Sequence, residues 1–195
     1  MFFDLTLPIR KDDADGTASE RDRVIMRLGH YGTHLDKVCG STVPLEYVRS
    51  RGLMFDVSAF SRTRTVEWED IPGSLVEPAD FVIFRTGALL RNPYGSKGYL
   101  EEFFELSHEV IDRLIACRIR FIGLDARGVR RGEEHRKADA RCERGGVYVI
   151  ENITGTEQLP VSVPFVVYTA CFDSGGSGVP CRVIAEITAA PDHTL

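Results

Sequence analysis

His30-Tyr31-Gly32-Thr33-His34-Leu35-Asp36, written HYGTHLD, places two imidazoles and a carboxylate within seven residues. His30, Gly32, His34 and Asp36 are successive i, i+2 neighbours, so a continuing strand would set them on one face. Distance argues against a straight strand as a binding device. At ~3.3 Å per residue, His30 and Asp36 would stand about 20 Å apart, whereas metal–ligand bonds are only ~2.0–2.2 Å long. A helix would bring His30 and His34 together but turn Asp36 away, and it would bury Gly32 and β-branched Thr33 in its interior, where both are poor. A strand bent at Gly32-Thr33 remains, because glycine allows unusual dihedrals and close approach. Such a bend aims His30, His34 and Asp36 into a cleft as metal ligands. The mixed His and Asp set suits zinc, manganese or iron better than calcium or copper(I). An ordinary surface turn is the alternative.

A second charged constellation runs from Arg127 to Glu151, RGVRRGEEHRKADARCERGGVYVIE. It leaves the end of an apolar run closing in Gly123-Leu124-Asp125, and strand ends are where binding loops sit. The stretch reads as a loop carrying Glu133, Glu134, His135, Asp139 and Glu143. Glu151 closes the apolar run VYVIE, and burying a lone carboxylate there is costly, so pairing, capping or metal binding is expected.

The runs around these clusters set the fold. Leu53–Val57, Phe81–Arg85, Arg120–Leu124, Val147–Glu151, Phe165–Ala170 and Arg182–Ile187 are apolar or alternating and bounded by turn residues, and they read as strands. Phe2–Leu7 alternates weakly before Pro8. Arg23–Leu28 alternates polar and apolar and also reads as a strand. Leu100–Ala116 is predicted to be one long helix, with Phe103, Phe104, Val110, Ile111 and Leu114 at a period near 3.6. Lys11–Arg23, KDDADGTASERDR, reads as a polar loop. There are no internal repeats. The expectation is a mixed α/β (α+β) domain with more strand than helix, as a single domain over residues 1–195. A right-handed β-α-β crossover is expected across residues 81–124.

Composition narrows the function classes. Hydrophobic content is 43% and charged content 27%, ordinary for a globular protein. The net charge of -5, with bases interspersed among acids, gives no case for nucleic acid as a partner. MFFDLTLPIR lacks the basic start and apolar run of a signal peptide. No window approaches the ~18–20 apolar residues of a membrane span, so a cytoplasmic protein without a membrane partner is expected. Cys39, Cys117, Cys142, Cys171 and Cys181 are then reduced thiols that pack as small hydrophobes. Cys39, three residues past Asp36, is the one candidate for a further role.

Taken in order, these segments resemble the Putative cyclase family, which includes bacterial metal-dependent kynurenine formamidases. His30-x-Gly32-Thr33-His34-x-Asp36 looks like its HxGTHxD signature. Asp4-Leu5-Thr6-Leu7-Pro8-Ile9 is similar to its opening segment, Arg85-Thr86-Gly87 to its R-T-G strand end, Gly123-Leu124-Asp125 to its G-I-D strand, Glu151-Asn152-Ile153 to its E-N-L segment, and Gly178–Ala185 to its C-terminal strand. The resemblance spans essentially the whole chain. It implies a swivelling β/β/α-type domain with a mixed sheet or barrel-like strands and few helices. It also implies one or two zinc or manganese ions, a homodimer or homotetramer, and hydrolysis of a small amide substrate such as an N-formyl aryl amine or a cyclic amide. By the resemblance His30, His34, Asp36 and Glu151 are ligands, with Asp36 able to bridge two ions.

The sequence departs from that pattern in three places. The family motif continues D-x-P-x-H, and its last His is held to move protons, but here Gly40 stands at that position and there is no Pro. The family's later His ligand lies twelve residues before the Glu; here that residue is Asp139, and His135 lies sixteen before. Either His135 or Asp139 then takes the ligand position. The family's substrate-lining stretch with Met and Pro is replaced by the polar residues 11–23. With Gly40 in the usual place, His135, Glu134 or Cys39 is left to transfer the proton, and Tyr31 and Arg85 to position substrate. Two other readings stand beside the hydrolase: a metal- or metabolite-binding protein of the same fold without turnover, favoured by the lost Pro-x-His, and a domain using metal only for stability. The last fits less well, because structural zinc sites prefer four closed ligands, often cysteines.

Overall fold

The computed structural model describes residues 1–9, 24, 26–172 and 175–188. The whole expected 11–23 loop lies outside these residues, as do Arg23 and Ile25 of the expected strand at 23–28. The strands are β1 Phe2–Asp4, β2 His34–Asp36, β3 Arg49–Asp56, β4 Asp80–Arg85, β5 Phe121–Leu124, β6 Tyr148–Glu151, β7 Phe165–Cys171 and β8 Gly178–Glu186. The helices are α1 Ala88–Arg91, α2 Lys97–Glu101, α3 His108–Ala116 and α4 Glu133–Arg144.

The strands form one sheet in the order β1-β8-β2-β6-β5-β4-β3-β7, and β7 also pairs with β8. That last pairing rolls the sheet into a barrel, with β1 flanking β8. β3, β4, β5 and β6 run parallel to one another. β2, β7 and β8 are antiparallel to theirs. β4 and β5 are adjacent and parallel with helices between them in sequence, as the β-α-β expectation requires.

Strand alternation divides the apolar residues between two cores. Leu35, Met54, Phe81, Ile83, Phe121, Ile150, Val167 and Val183 pack together inside the barrel. Leu53, Phe55, Val82, Phe84, Ile122, Leu124 and Val149 point the other way, toward Val110, Ile111, Leu114 and Ala138 of α3 and α4. The second core fixes α4 against the sheet.

Three sequence expectations are corrected. Val24, Met26 and Arg27 are helical, not strand. Leu28 N–H donates to the Val24 carbonyl at 3.0 Å, and Gly29 at φ +84° ends the turn. Val24 and Leu28 stay exposed, so the alternation never served a buried strand face. The single helix over Leu100–Ala116 is two helices with an extended link. Leu106 N–H bonds the Val129 carbonyl and Ser107 N–H bonds the Val66 carbonyl, both 2.9 Å. Ser107 then caps α3 by accepting from Val110 N–H at 3.2 Å. Phe104 and Leu106 enter the same core as α3, which preserves the apolar rhythm across the break. The third correction is the 127–147 stretch, where Glu133–Arg144 is helix α4. Its buried face includes Asp139 and Glu143 beside Ala138 and Cys142, so polar residues sit where an apolar stripe would have announced a helix.

Candidate metal centre

The site is built on a bend. Gly32 adopts φ +70°, in the left-handed region, and a Cβ there would lie 2.7 Å from Ile9 Cδ1. A side chain at this position is therefore excluded on two grounds. The Gly32 carbonyl accepts from Asn152 Nδ2 at 2.7 Å and from His34 Nδ1 at 2.9 Å. Gly32 N–H donates to the Tyr94 hydroxyl at 3.0 Å. Thr33 Oγ1 donates to the Asn152 carbonyl at 2.7 Å and accepts from Leu7 N–H at 2.8 Å. The Gly-Thr pair thus ties the bend to β6 and to the N-terminal segment.

After the bend, β2 lies between β6 and β8, with His34 opposite Glu151 and Asp36 opposite Val149. His34, Asp36 and Glu151 share the face opposite Leu35 and Ile150, which fill the barrel. Because Nδ1–H of His34 is engaged by the Gly32 carbonyl, its Nε2 lone pair is left to the site. That Nε2 stands 3.6 Å from Asp36 Oδ1 and 3.7 Å from Glu151 Oε2. His30 is held at its other nitrogen: Nε2 meets Ser177 Oγ at 2.8 Å, while Nδ1 lies 3.0 Å from Asp36 Oδ1.

α4 supplies the opposite side. His135 and Asp139 are i, i+4 and share a helix face. Asp139 Oδ2 and Glu151 Oε1 each lie 3.2 Å from His135 Nε2. The two residues between which the sequence left a choice are thus both at the site. One donor atom from each of His30, His34 and Asp36 falls within 4.8 Å of the others, and the same holds for Asp36, His135 and Glu151. Asp36 belongs to both groups.

Electrostatics supports a cation here. Asp36, Asp139 and Glu151 are 4%, 3% and 4% exposed. Asp36 Oδ2 and Asp139 Oδ1 are buried with no hydrogen-bond partner, and buried Glu151 Oε1 meets only the His135 imidazole at 3.2 Å among the described residues. Orphaned carboxylate oxygens are expensive unless a cation meets them. Burial would raise the Asp36 carboxyl, but hydrogen bonds and charge from His30 and His34 hold it well below the usual range. Burial, with the charge of Asp36 next, pushes Asp139 up to about 8. Burial would lower His34, yet its hydrogen bond to Asp36 and the charges of Asp36 and Glu151 raise it to about 9. The Glu151 carboxylate raises His135 to about 9 against the opposing effect of burial. Each shift shows negative charge crowded around imidazoles, an arrangement that a divalent ion relieves. The donor set of three imidazoles and three carboxylates fits a divalent metal ion.

These residues line a cavity of about 410 Å³. Tyr31, Tyr94 and Tyr99 form one wall, with edge-on contacts between ring centroids 5.5 Å apart for Tyr31–Tyr94 and a tilted pair 5.6 Å apart for Tyr94–Tyr99. The Tyr99 hydroxyl donates to Asn152 Oδ1. Two expected site residues lie elsewhere. Arg85 pairs with Asp56 at 2.8 Å and does not line the cavity. Glu134 faces away from the cavity and pairs with Lys137 at 2.8 Å. The turn of the helix that points His135 and Asp139 inward points Glu134 outward. Gly40, at φ +75°, borders open space, with no described atom within 4 Å of where a Cβ would stand. Cys39 Sγ contacts the Ala140 carbonyl at 3.7 Å, and Cys39 does not line the cavity. Tyr94, Tyr99, Asn152 and Ser177 escaped the sequence reading of the site. Only Asn152 carried a signal, as the residue after a strand-end carboxylate.

Among the described residues no helix is long and apolar enough to cross a membrane. A comparison with curated proteins returns no match. Solved structures show the same fold. A potential metal-dependent hydrolase with cyclase activity superposes with TM-score 0.72 at 20% identity, covering 95% of this chain and 96% of that one. A predicted metal-dependent hydrolase from Bacillus stearothermophilus gives 0.71 at 20% identity, over 95% and 97%. Isatin hydrolase A from Labrenzia aggregata gives 0.74 at 20% identity, over 95% and 93%. The sequence profile of the family described as Putative cyclase matches residues 3–130, a span that holds the bend, β2 and the Asp125 strand end. With most of its length under that profile, this chain belongs to the Putative cyclase family.

Proposed function

We propose that the protein is a metal-dependent hydrolase that cleaves the amide of a small N-formyl aryl amine or cyclic amide. The carrying observation is the convergence of three imidazoles with three buried carboxylates on one cavity, Asp36 and Asp139 each keeping an unpartnered oxygen. His30, His34 and Asp36 would hold one zinc or manganese ion. Asp36, His135, Asp139 and Glu151 would hold a second. A divalent ion there supplies Lewis acidity, lowering the pKa of water from 15.7 toward about 7 and polarising a carbonyl.

The protein's own part is positioning. The Gly32 carbonyl and Ser177 Oγ fix which nitrogen His34 and His30 present. Asn152 locks the bend and, through its side-chain oxygen, the Tyr99 wall. The tyrosines hold a flat substrate over the donor cluster and exclude water from its far side. His135, enclosed between Asp139 and Glu151, serves as a donor to the ion and not as the proton carrier. The names of the structural neighbours, metal-dependent hydrolases and isatin hydrolases, support this reading.

A second reading, binding without turnover, is favoured by one feature. Gly40 occupies the position of the proton-transferring histidine that the family resemblance calls for. The test is a screen of N-formyl aryl amines and cyclic amides with zinc- and manganese-loaded protein, following amine or acid release before and after chelation. Turnover that disappears on chelation supports the hydrolase. A metal-loaded protein inert toward every amide supports the binding protein. A homodimer or homotetramer belongs to the same proposal, and sedimentation velocity tests it.

A further inference from the structure

We infer that the substrate is anionic: it carries a carboxylate on the ring system beside the scissile amide, and Arg127 and Arg136 recognise that group. This rests on the metal-hydrolase reading and names the substrate class of the same site.

Arg127, in the loop after β5, and Arg136, on α4 next to His135, both line the cavity. Neither forms an ion pair among the described residues. Several other arginines are ion-paired, Arg51 to Asp80, Arg64 to Asp70, Arg130 to Glu105 and Arg182 to Asp4 at 2.6–3.1 Å, whereas Arg127 and Arg136 share the cavity wall. Arg127 makes only one long bond of 3.4 Å, to the Leu100 carbonyl. Both residues are exposed, so their guanidinium groups stay hydrated at the cavity wall, without a carboxylate partner among the described residues. They are what a carboxylate needs, since the guanidinium fork matches it with two parallel hydrogen bonds.

The cavity therefore has three chemical zones. The donor cluster would hold the ion that polarises the reacting carbonyl. The Tyr31–Tyr94–Tyr99 wall takes a flat ring. The two arginines take an anionic substituent. Its volume of about 410 Å³ lies in the range of small-ligand sites, ~300–1,000 Å³. The arginines also offset the field of Asp36, Asp139 and Glu151, which would otherwise repel an anion.

Hydrolysis itself releases a carboxylate, so the test must separate a substrate carboxylate from a product one. Benzohydroxamic acid is a suitable neutral probe, because its hydroxamate occupies the metal. Its 3-carboxy and 4-carboxy derivatives add the anion. Binding to manganese-loaded wild type and to an Arg127→Ala/Arg136→Ala double variant is measured by calorimetry, with metal content determined on the same samples. At least one carboxy derivative is expected to bind wild type about tenfold tighter than the neutral probe, a gap of about 1.4 kcal/mol. The double variant should lose that gain and keep its affinity for the neutral probe, which also reports that it is folded. Equal binding of neutral and carboxylated probes by wild type would overturn the inference while leaving the metal site standing. So would a gain that survives in the double variant. Protein without metal and without hydroxamate binding would remove the inference together with the hydrolase reading.

Discussion

Gly32 and Asn152 carry the geometry on which the imidazoles depend. Gly32→Ala puts a side chain at φ +70° and against Ile9. The left-handed conformation alone costs an L-residue roughly 1–2 kcal/mol, so a loss of that size or more is expected in the denaturation midpoint. Asn152→Ala removes the donor that holds the Gly32 carbonyl and the acceptor for Tyr99. Residues that orient metal ligands typically matter 10–100-fold in affinity. Competition titration with a chromophoric chelator should show a loss of about that size, and an unchanged affinity would mean the bend holds itself. The bend was legible in the sequence because only glycine satisfies its dihedral and HxGTHxD spacing excludes both straight alternatives. Its partners were not, because Tyr94, Tyr99 and Ser177 come from distant segments and their spacing carries no period.

α4 connects the metal face to the loop after β2. Glu143 accepts from Val38 N–H at 2.6 Å, Cys39 N–H at 2.5 Å, Ser41 N–H at 2.8 Å and Ser41 Oγ at 2.6 Å. Burial would raise its carboxyl, but these donors outweigh that and lower it below the ordinary 4.5. A depressed folded-state value contributes stability that is fully present above the unfolded value and is lost as pH falls through the folded one. Hydrogen bonds to a charged group are worth about 1.5–3 kcal/mol. Glu143→Gln should therefore lose about that much in urea denaturation at pH 7. The gap from wild type should shrink as pH drops below 4.5. A gap that is the same at pH 7 and at acid pH would contradict the clamp. This helix was hidden in the sequence for a physical reason. His135, Asp139 and Glu143 recur every fourth residue on its inner face, so the period was present but written in charged residues serving the site and the loop. The strands were legible because each is an apolar run bounded by turn residues. The false helix over residues 102–107 arose because an extended segment entered the same core at helical rhythm.

The barrel interior is packed by Leu35, Met54, Phe81, Phe121 and their neighbours without help from the donor cluster. Metal removal should therefore leave the fold intact. An ion held at one hundred times its Kd adds about 2.7 kcal/mol, and 1 kcal/mol moves Tm by roughly 2–4 °C at this size. Chelation is thus expected to lower Tm by about 5–10 °C with unchanged far-ultraviolet circular dichroism. Unfolding on chelation at room temperature would favour a purely structural metal.

The whole account stands on the donor cluster, and elemental analysis reaches it most directly. Purified wild type, His34→Ala and Asp36→Ala are reloaded with zinc or manganese, desalted and assayed for bound metal beside a circular dichroism spectrum. One or two equivalents are expected in folded wild type, with nearly complete loss in both folded variants. A wild type that stays metal-free after reloading, or variants that keep their full complement, would contradict it.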